Sequence, residues 1–206
     1  MRTDIVVSGV GGQGVMLISK TIATAAQLEG FEVSGSEIHG HAVRGGSAYA
    51  MVSYGDSIGP PKVMHGRADL LLSMELLEGL RSSIYLRRNG VGIVSSAEVI
   101  PVNVVLRGDK YPSVDQVREV LMKKTDSVFI IDVERAALTL GERRLSSAVM
   151  YGAFAAAFDS GIKLESLLEA LRTNVPKGTE EKNAAAFRLG RDLINSEGAR
   201  VRASST

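Results

Sequence analysis

A short β-branched run, Ile5-Val6-Val7, is closed by glycine at Gly9, and from Val15 onward apolar residues recur at Val15, Ile18, Ile22, Ala25, Ala26 and Leu28. The first pattern is that of a strand and the second has the helical period, so the chain is predicted to open as strand, tight turn and helix over Val15 to Glu29. Gly30 is placed to end that helix. Strands are then predicted over Phe31 to Ile38 and Ser47 to Tyr54, with Gly40, Gly45 and Gly46 marking the connection between them. Further strands are expected at Asp69 to Ser73, Val91 to Ser95, Val102 to Leu106 and Val128 to Ile131, with helices over Glu75 to Tyr85, Val114 to Lys124 and Val133 to Leu140. Gly55 to Gly66, with its Pro60-Pro61 pair, reads as a loop or short hairpin. After this alternation come three helices in a row, Leu145 to Ser160, Leu164 to Leu171 and Glu180 to Asn195. The expected fold is α/β and Rossmann-like: a mainly parallel sheet with helices on both faces and a C-terminal helical cap. A single domain is expected over 1–196, its helical part 145–196, with 197–206 as a frayed tail. The helix through Ala148, Gly152, Ala153, Ala155, Ala156 and Ala157 is nearly all apolar and small, which predicts a buried helix or a subunit interface.

Composition narrows the chemistry. The 206 residues contain no Cys, which excludes disulfides, thiolate zinc sites, a cysteine nucleophile and Cys-ligated iron–sulfur clusters on this chain. Lys and Arg total 24 against 23 Asp and Glu, and the basic residues fall in scattered pairs such as Arg87-Arg88 and Arg143-Arg144. Neither a nucleic-acid groove nor a polybasic membrane patch is predicted, and no apolar run is long enough to span a bilayer. With no secretory signal pattern at the N-terminus, a cytoplasmic location is expected.

Two glycine-rich stretches are candidates for a binding site. Gly9-Val10-Gly11-Gly12-Gln13-Gly14 matches G-x-G-x-x-G and falls between a predicted strand and helix. Such a turn brings backbone N–H groups to the start of a helix, where they favour an anion such as phosphate. Glu37, about twenty residues on, is where a carboxylate would accept bonds from a ribose hydroxyl. Alternatively the turn only packs tightly and Glu37 is a solvated strand end. The second stretch runs from Ser36 through His39-Gly40-His41-Ala42-Val43-Arg44-Gly45-Gly46-Ser47. Its glycines let N–H groups converge on an anion while the Arg44 guanidinium grips it, unless Arg44 merely pairs with a carboxylate such as Glu37. Both stretches are expected at the C-terminal edge of the sheet. A metal site of His39, His41 and His65 lacks a carboxylate at ligand spacing, no Ser sits in G-x-S-x-G, and Glu75, Glu78 and Arg81 read as a helix-surface trio. There is no P-loop and no Tyr-x-x-x-Lys pair.

The succession Gly9 to Gly14, Ser36 to Gly40 and Arg44 to Ser47 resembles the gamma-type subunit of 2-oxoacid:ferredoxin oxidoreductases, the indolepyruvate class above all. The likeness continues through Ala68-Asp69-Leu70-Leu71-Leu72-Ser73-Met74-Glu75 to Arg81, through Pro101 and Tyr111-Pro112, and through Glu181-Lys182-Asn183 to Gly190, covering about residues 3 to 195. Where that family usually reads Gly-Met-x-Gln-Arg-Gly-Gly, this chain reads Gly40-His41-Ala42-Val43-Arg44-Gly45-Gly46.

The resemblance implies a subunit that carries no cofactor of its own. A large partner chain would bind thiamine diphosphate and iron–sulfur clusters, decarboxylate the 2-oxoacid and reduce ferredoxin, with the acyl group passing to coenzyme A. This chain would position coenzyme A or close the partner's site through Gly9, Gly11, Gly12, Gln13, Gly14, Glu37, Arg44, Gly45, Gly46 and Ser47. A self-contained dinucleotide-binding module or reductase, a pyruvate or 2-oxoglutarate enzyme of the same family, and a purely subunit-contacting role for the loops are the alternatives.

Overall fold

A computed structural model describes residues 2–39, 46–59, 62–100 and 110–203. The predicted strand at Val102 to Leu106 lies outside them, as do His41, Arg44 and Gly45. Six strands form one sheet: β1 (Arg2–Val10), β2 (Glu32–His39), β3 (Ser47–Gly55), β4 (Ala68–Ser73), β5 (Leu86–Ser95) and β6 (Val128–Ile131), in the order β2-β3-β1-β4-β5-β6. From β1 through β4 and β5 to β6 every pairing is parallel. The central strands carry unbroken apolar runs because both their faces are covered: Ile5, Val6 and Val7 in β1 and Leu70, Leu71 and Leu72 in β4 have no exposed surface.

The helices are α1 (Val15–Leu28), α2 (Leu76–Ser82), α3 (Val114–Met122), α4 (Val133–Thr139), α5 (Ser146–Ala157), α6 (Leu164–Asn174) and α7 (Glu180–Ala203). One face of the sheet meets α1 and α4 to α7, which enclose Ile5, Val7, Val52, Leu70, Leu72 and Ile93. The other face meets α2 and α3 through Leu76, Val117 and Leu121, packed on Val6, Leu71 and Val94. The α/β architecture with helices on both faces and a helical C-terminal cap is therefore as expected. The last helix continues to Ala203, past the boundary read at 196.

Three local differences have physical causes. β3 runs antiparallel to both neighbours and lies between β1 and β2, so the second strand in sequence does not adjoin the first. β5 starts at Leu86, earlier than Val91, because Leu86 is buried against Ala68 across a register shift while the charged Arg87-Arg88-Asn89 stretch masks the strand pattern. The helix expected over Glu75 to Tyr85 divides into α2 and a 3₁₀ turn at Ser83–Tyr85, with Glu75 outside it as the N-cap. Caps fix the other starts: Ser113 and Gln116 form a reciprocal capping box at α3, and Asp132 accepts the Arg135 N–H at 2.9 Å at α4.

Candidate functional site

At the C-terminal end of β1 the chain leaves the sheet at Val10, turns through Gly11 to Gly14 and enters α1. The Gln13 N–H donates to the Val10 carbonyl at 3.1 Å, and the Gln13 Oε1 accepts the Val10 N–H at 2.8 Å. That pair holds the turn from within and leaves the Gln13 Nε2 buried without a partner. Each glycine answers a separate demand. A Cβ at Gly9 would lie 2.9 Å from both Met74 Cβ and Val15 Cγ2, so Gly9 serves packing. Gly14 has φ +83° as the residue preceding α1, and a Cβ there would come within 2.7 Å of Ser147 Cβ. Gly12 has φ +99° with nothing within 4 Å of a Cβ position, so its backbone is bare.

This turn lines an open cleft of about 590 Å³ whose opposite wall comes from residues 134–147: Glu134, Arg143, Arg144, Ser146 and Ser147. No side chain caps α1, so the cleft is bordered by a helix start whose N–H groups receive no capping acceptor. At the rim the Arg143 Nε donates to Glu134 Oε2 at 2.9 Å, and Glu142 accepts from both Arg144 and Lys182. The Glu134 carboxylate holds the Arg143 guanidinium above its ordinary range, and Lys182 and Arg144 hold the Glu142 carboxyl below the usual one. Two carboxylates are thereby matched to three cations, which leaves the rim with a positive excess. Arg143-Arg144 was readable in sequence only as one scattered basic pair; what aims it at the glycine turn is the packing of α5 against Gly14.

The second glycine stretch meets the first at its end. The Gly46 carbonyl accepts the Gly11 N–H at 3.0 Å, and Ser47 sits beside Val10 in the β1–β3 register. Ser47 Oγ donates to Glu78 Oε1 at 2.8 Å and accepts from Arg81 Nη1 at 3.3 Å, so its hydroxyl is engaged away from the cleft. Glu37 is not brought to the glycine turn. It lies opposite Ala50 on β2, separated from β1 by β3, and faces a shallow hollow beside Lys20 and Ala23 of α1.

The trio Glu75, Glu78 and Arg81 is not a surface array. Glu78 pairs with Arg81 at 2.6 Å, but Glu75 is 1% exposed and Glu78 5%. Glu75 Oε2 caps α2 by accepting the Glu78 N–H at 2.7 Å, and its Oε1 accepts the Val99 N–H at 3.2 Å. Burial pushes the Glu75 carboxyl up despite those bonds, and the Glu78 charge adds to the rise. Because Val99 and Met74 line the cleft, this carboxyl holds one of its walls. Among the described residues no group of three His, Asp or Glu side chains is placed to hold a metal ion, and no helix is long and apolar enough to cross a membrane.

A mostly parallel sheet wrapped on both faces, with a bare glycine turn between β1 and α1 and a helical cap closing over it, defines a Rossmann-like α/β protein with its cleft at the C-terminal edge of the sheet. The chain belongs to the pyruvate ferredoxin/flavodoxin oxidoreductase family, whose model matches residues 4–193. Within that family it is a subunit of a 2-oxoacid:ferredoxin oxidoreductase, and so part of an oxidoreductase. It is 31% identical over 188 residues to the indolepyruvate oxidoreductase subunit IorB of Pyrococcus horikoshii, covering 91% of this chain and 93% of that one. In fold it is similar to the gamma subunit of a keto/oxoacid ferredoxin oxidoreductase from Geobacter sulfurreducens, with TM-score 0.70 and 23% identity over 94% of this chain and 99% of that one. It is also similar to a 2-oxoglutarate:ferredoxin oxidoreductase from Magnetococcus marinus solved with 2-oxoglutarate, coenzyme A and succinyl-CoA bound, with TM-score 0.70 and 17% identity over 95% of this chain and 31% of that one.

Proposed function

We propose that this subunit serves an oxidoreductase of indolepyruvate or a related aryl pyruvate in the cytoplasm, and that its glycine-turn cleft takes the phosphate-bearing end of coenzyme A. A large partner chain holds the thiamine diphosphate and the iron–sulfur clusters and passes electrons to ferredoxin; this chain lends position and no electron carrier. The observation that carries the reading is the bare Gly12 backbone at the uncapped start of α1, facing Arg143 and Arg144 across one cleft. Backbone N–H groups and guanidinium groups are the donors that phosphate oxygens require, and fixing the distal end of coenzyme A presents its thiol in a restricted volume. Arg44, flanked by glycines in sequence, is assigned to the same anion. The aryl substrate is supported by the name of the 31% identical relative.

A purely subunit-contacting role for the loops is favoured by one observation: the Gln13 Oε1 and the Ser47 hydroxyl are engaged by the protein's own groups. The two readings separate in the assembled complex. In Arg144→Ala and Arg44→Ala the KM for coenzyme A is expected to rise about tenfold, with turnover at saturating coenzyme A largely kept, as for the loss of one charge-assisted contact. An unchanged KM in both variants removes coenzyme A from this cleft and leaves the contact role.

A further inference from the structure

On the sheet face opposite α1, no helix among the described residues packs on β2 and β3. A strap over residues 62–67 lies against β3 there, pinned where the Val63 N–H meets Met51 Sδ at 3.3 Å and the Gly66 N–H donates to the Ile84 carbonyl at 2.9 Å. Between strap and sheet lies a pocket of about 580 Å³ walled by Tyr49, Tyr85, His65, Met51 and Met64, with Lys62 at its mouth. The His65 ring meets the Tyr85 ring edge-on at 5.0 Å, and Tyr85 lies 6.2 Å from Tyr49, so three rings form a continuous wall.

We propose that this pocket binds a small planar aromatic acid with a single negative charge, its ring against Tyr49 and Tyr85 and its carboxylate on Lys62. The walls supply flat aromatic faces and edges and polarizable thioethers, the surroundings in which a planar ring is better held than a branched aliphatic chain. The charge assignment follows from the lining, which contains no Asp or Glu, while Lys62 is exposed and makes no ion pair among the described residues. Burial and the neighbouring Tyr49 hydroxyl push the Tyr85 hydroxyl up, so at neutral pH it is protonated and can donate to a carboxylate oxygen. A phosphate is the poorer guest: no arginine lines the pocket and no run of glycine N–H groups faces it. The volume admits a ligand of one or two fused rings with room to spare, and the two N–H contacts that pin the strap set the walls in advance, which lowers the cost of binding.

The test is calorimetric titration of the purified full-length chain with phenylacetate and 1-naphthoate, beside 1-naphthylmethanol as the uncharged ring, acetate as the charge without a ring, and inorganic phosphate. Saturable binding of the two aryl acids is expected, with acetate and phosphate silent. Lys62→Met, at an exposed position that does not endanger folding, is expected to weaken 1-naphthoate about tenfold and leave 1-naphthylmethanol unchanged. Tyr85→Leu is expected to weaken both ring compounds. Absence of saturable binding up to about 10 mM, a level weaker than any ligand a built site of this size should take, overturns the proposal and leaves the face as a seam for another protein. Binding that survives Lys62→Met and Tyr85→Leu unchanged, or that phosphate displaces, overturns it as well. None of these outcomes depends on where coenzyme A binds.

Discussion

A carboxyl with only 1% of its surface exposed resists ionisation unless its environment replaces the lost water, and Glu75 is given two N–H groups, from Glu78 and Val99, as that replacement. They do not suffice, since burial still holds the group above its ordinary value of 4.5. The folded chain therefore binds this proton more tightly than the unfolded chain does. Glu75's contribution to stability is full below the unfolded pKa and is lost as pH rises through the folded one. In Glu75→Gln that loss is absent. Urea unfolding of both proteins at about pH 4 and about pH 7 is expected to show the variant gaining on the wild type as pH rises; a difference that stays constant would contradict the burial account. Glycines divide in the same residue-by-residue way. Gly14 and Gly30 have nearly the same φ, +83° and +84°, but only Gly14 has a neighbour, Ser147 Cβ, at 2.7 Å from a Cβ position. Gly30→Ala is expected to cost about 1 kcal/mol in backbone strain alone, and Gly14→Ala about 2–4 kcal/mol because α5 must also retreat. Equal losses for the two in chemical denaturation would mean that α5 does not press on the turn.

Elements were read well where one periodicity ran without interruption. α1, β6 and α4 begin where the sequence places them, because each start is marked by a glycine, a β-branched run or an Asp cap that acts locally. The early start of β5 at Leu86 and the split of α2 escape the sequence pattern, since a bulged register and a buried carboxylate cap are decided by neighbours far along the chain. α5 bears out the reading of its small residues as core at Ala148, Gly152 and Ala153, while Ala155, Ala156 and Ala157 are half-buried. Its residues from Ser146 to Phe154 are all buried, and it crosses α7 so closely that a Cβ at Gly152 would stand 1.9 Å from the Phe187 carbonyl oxygen. At Gly190 the same distance separates a Cβ from the Val149 oxygen. The obstructing atoms are backbone, so a methyl group at either position can be housed only by moving a helix. Gly152→Ala is expected to cost at least about 3 kcal/mol, although alanine is the better helix former by about 1 kcal/mol. A thermal midpoint equal to the wild type's would show that the two helices have room to part.

At the scale of the whole molecule, one topological fact separates this chain from a dinucleotide-binding enzyme with the same glycine fingerprint. The fingerprint itself was readable, because strand, turn and helix are consecutive; its counterparts Arg143 and Arg144 were not, because only the packing of the C-terminal helices carries them across to it. The expected partner of the fingerprint, Glu37, was placed by the spacing that holds when the second strand adjoins the first. Here β3 enters antiparallel between them and moves β2 outward by one strand, about 5 Å further from β1 than an adjacent strand would be. The carboxylate consequently lies beside α1 and is not among the groups that line the cleft at the turn, which is rimmed by guanidinium groups instead. A nicotinamide or flavin dinucleotide thus loses the contact that would recognise its ribose. Thermal unfolding of the isolated chain with NAD, NADP or FAD at about 1 mM is expected to show no shift in Tm, since a ligand raises Tm only in so far as it binds the folded state. A saturable rise of a few degrees with any of the three, abolished in Gly12→Val, would return the self-contained dinucleotide module to first place.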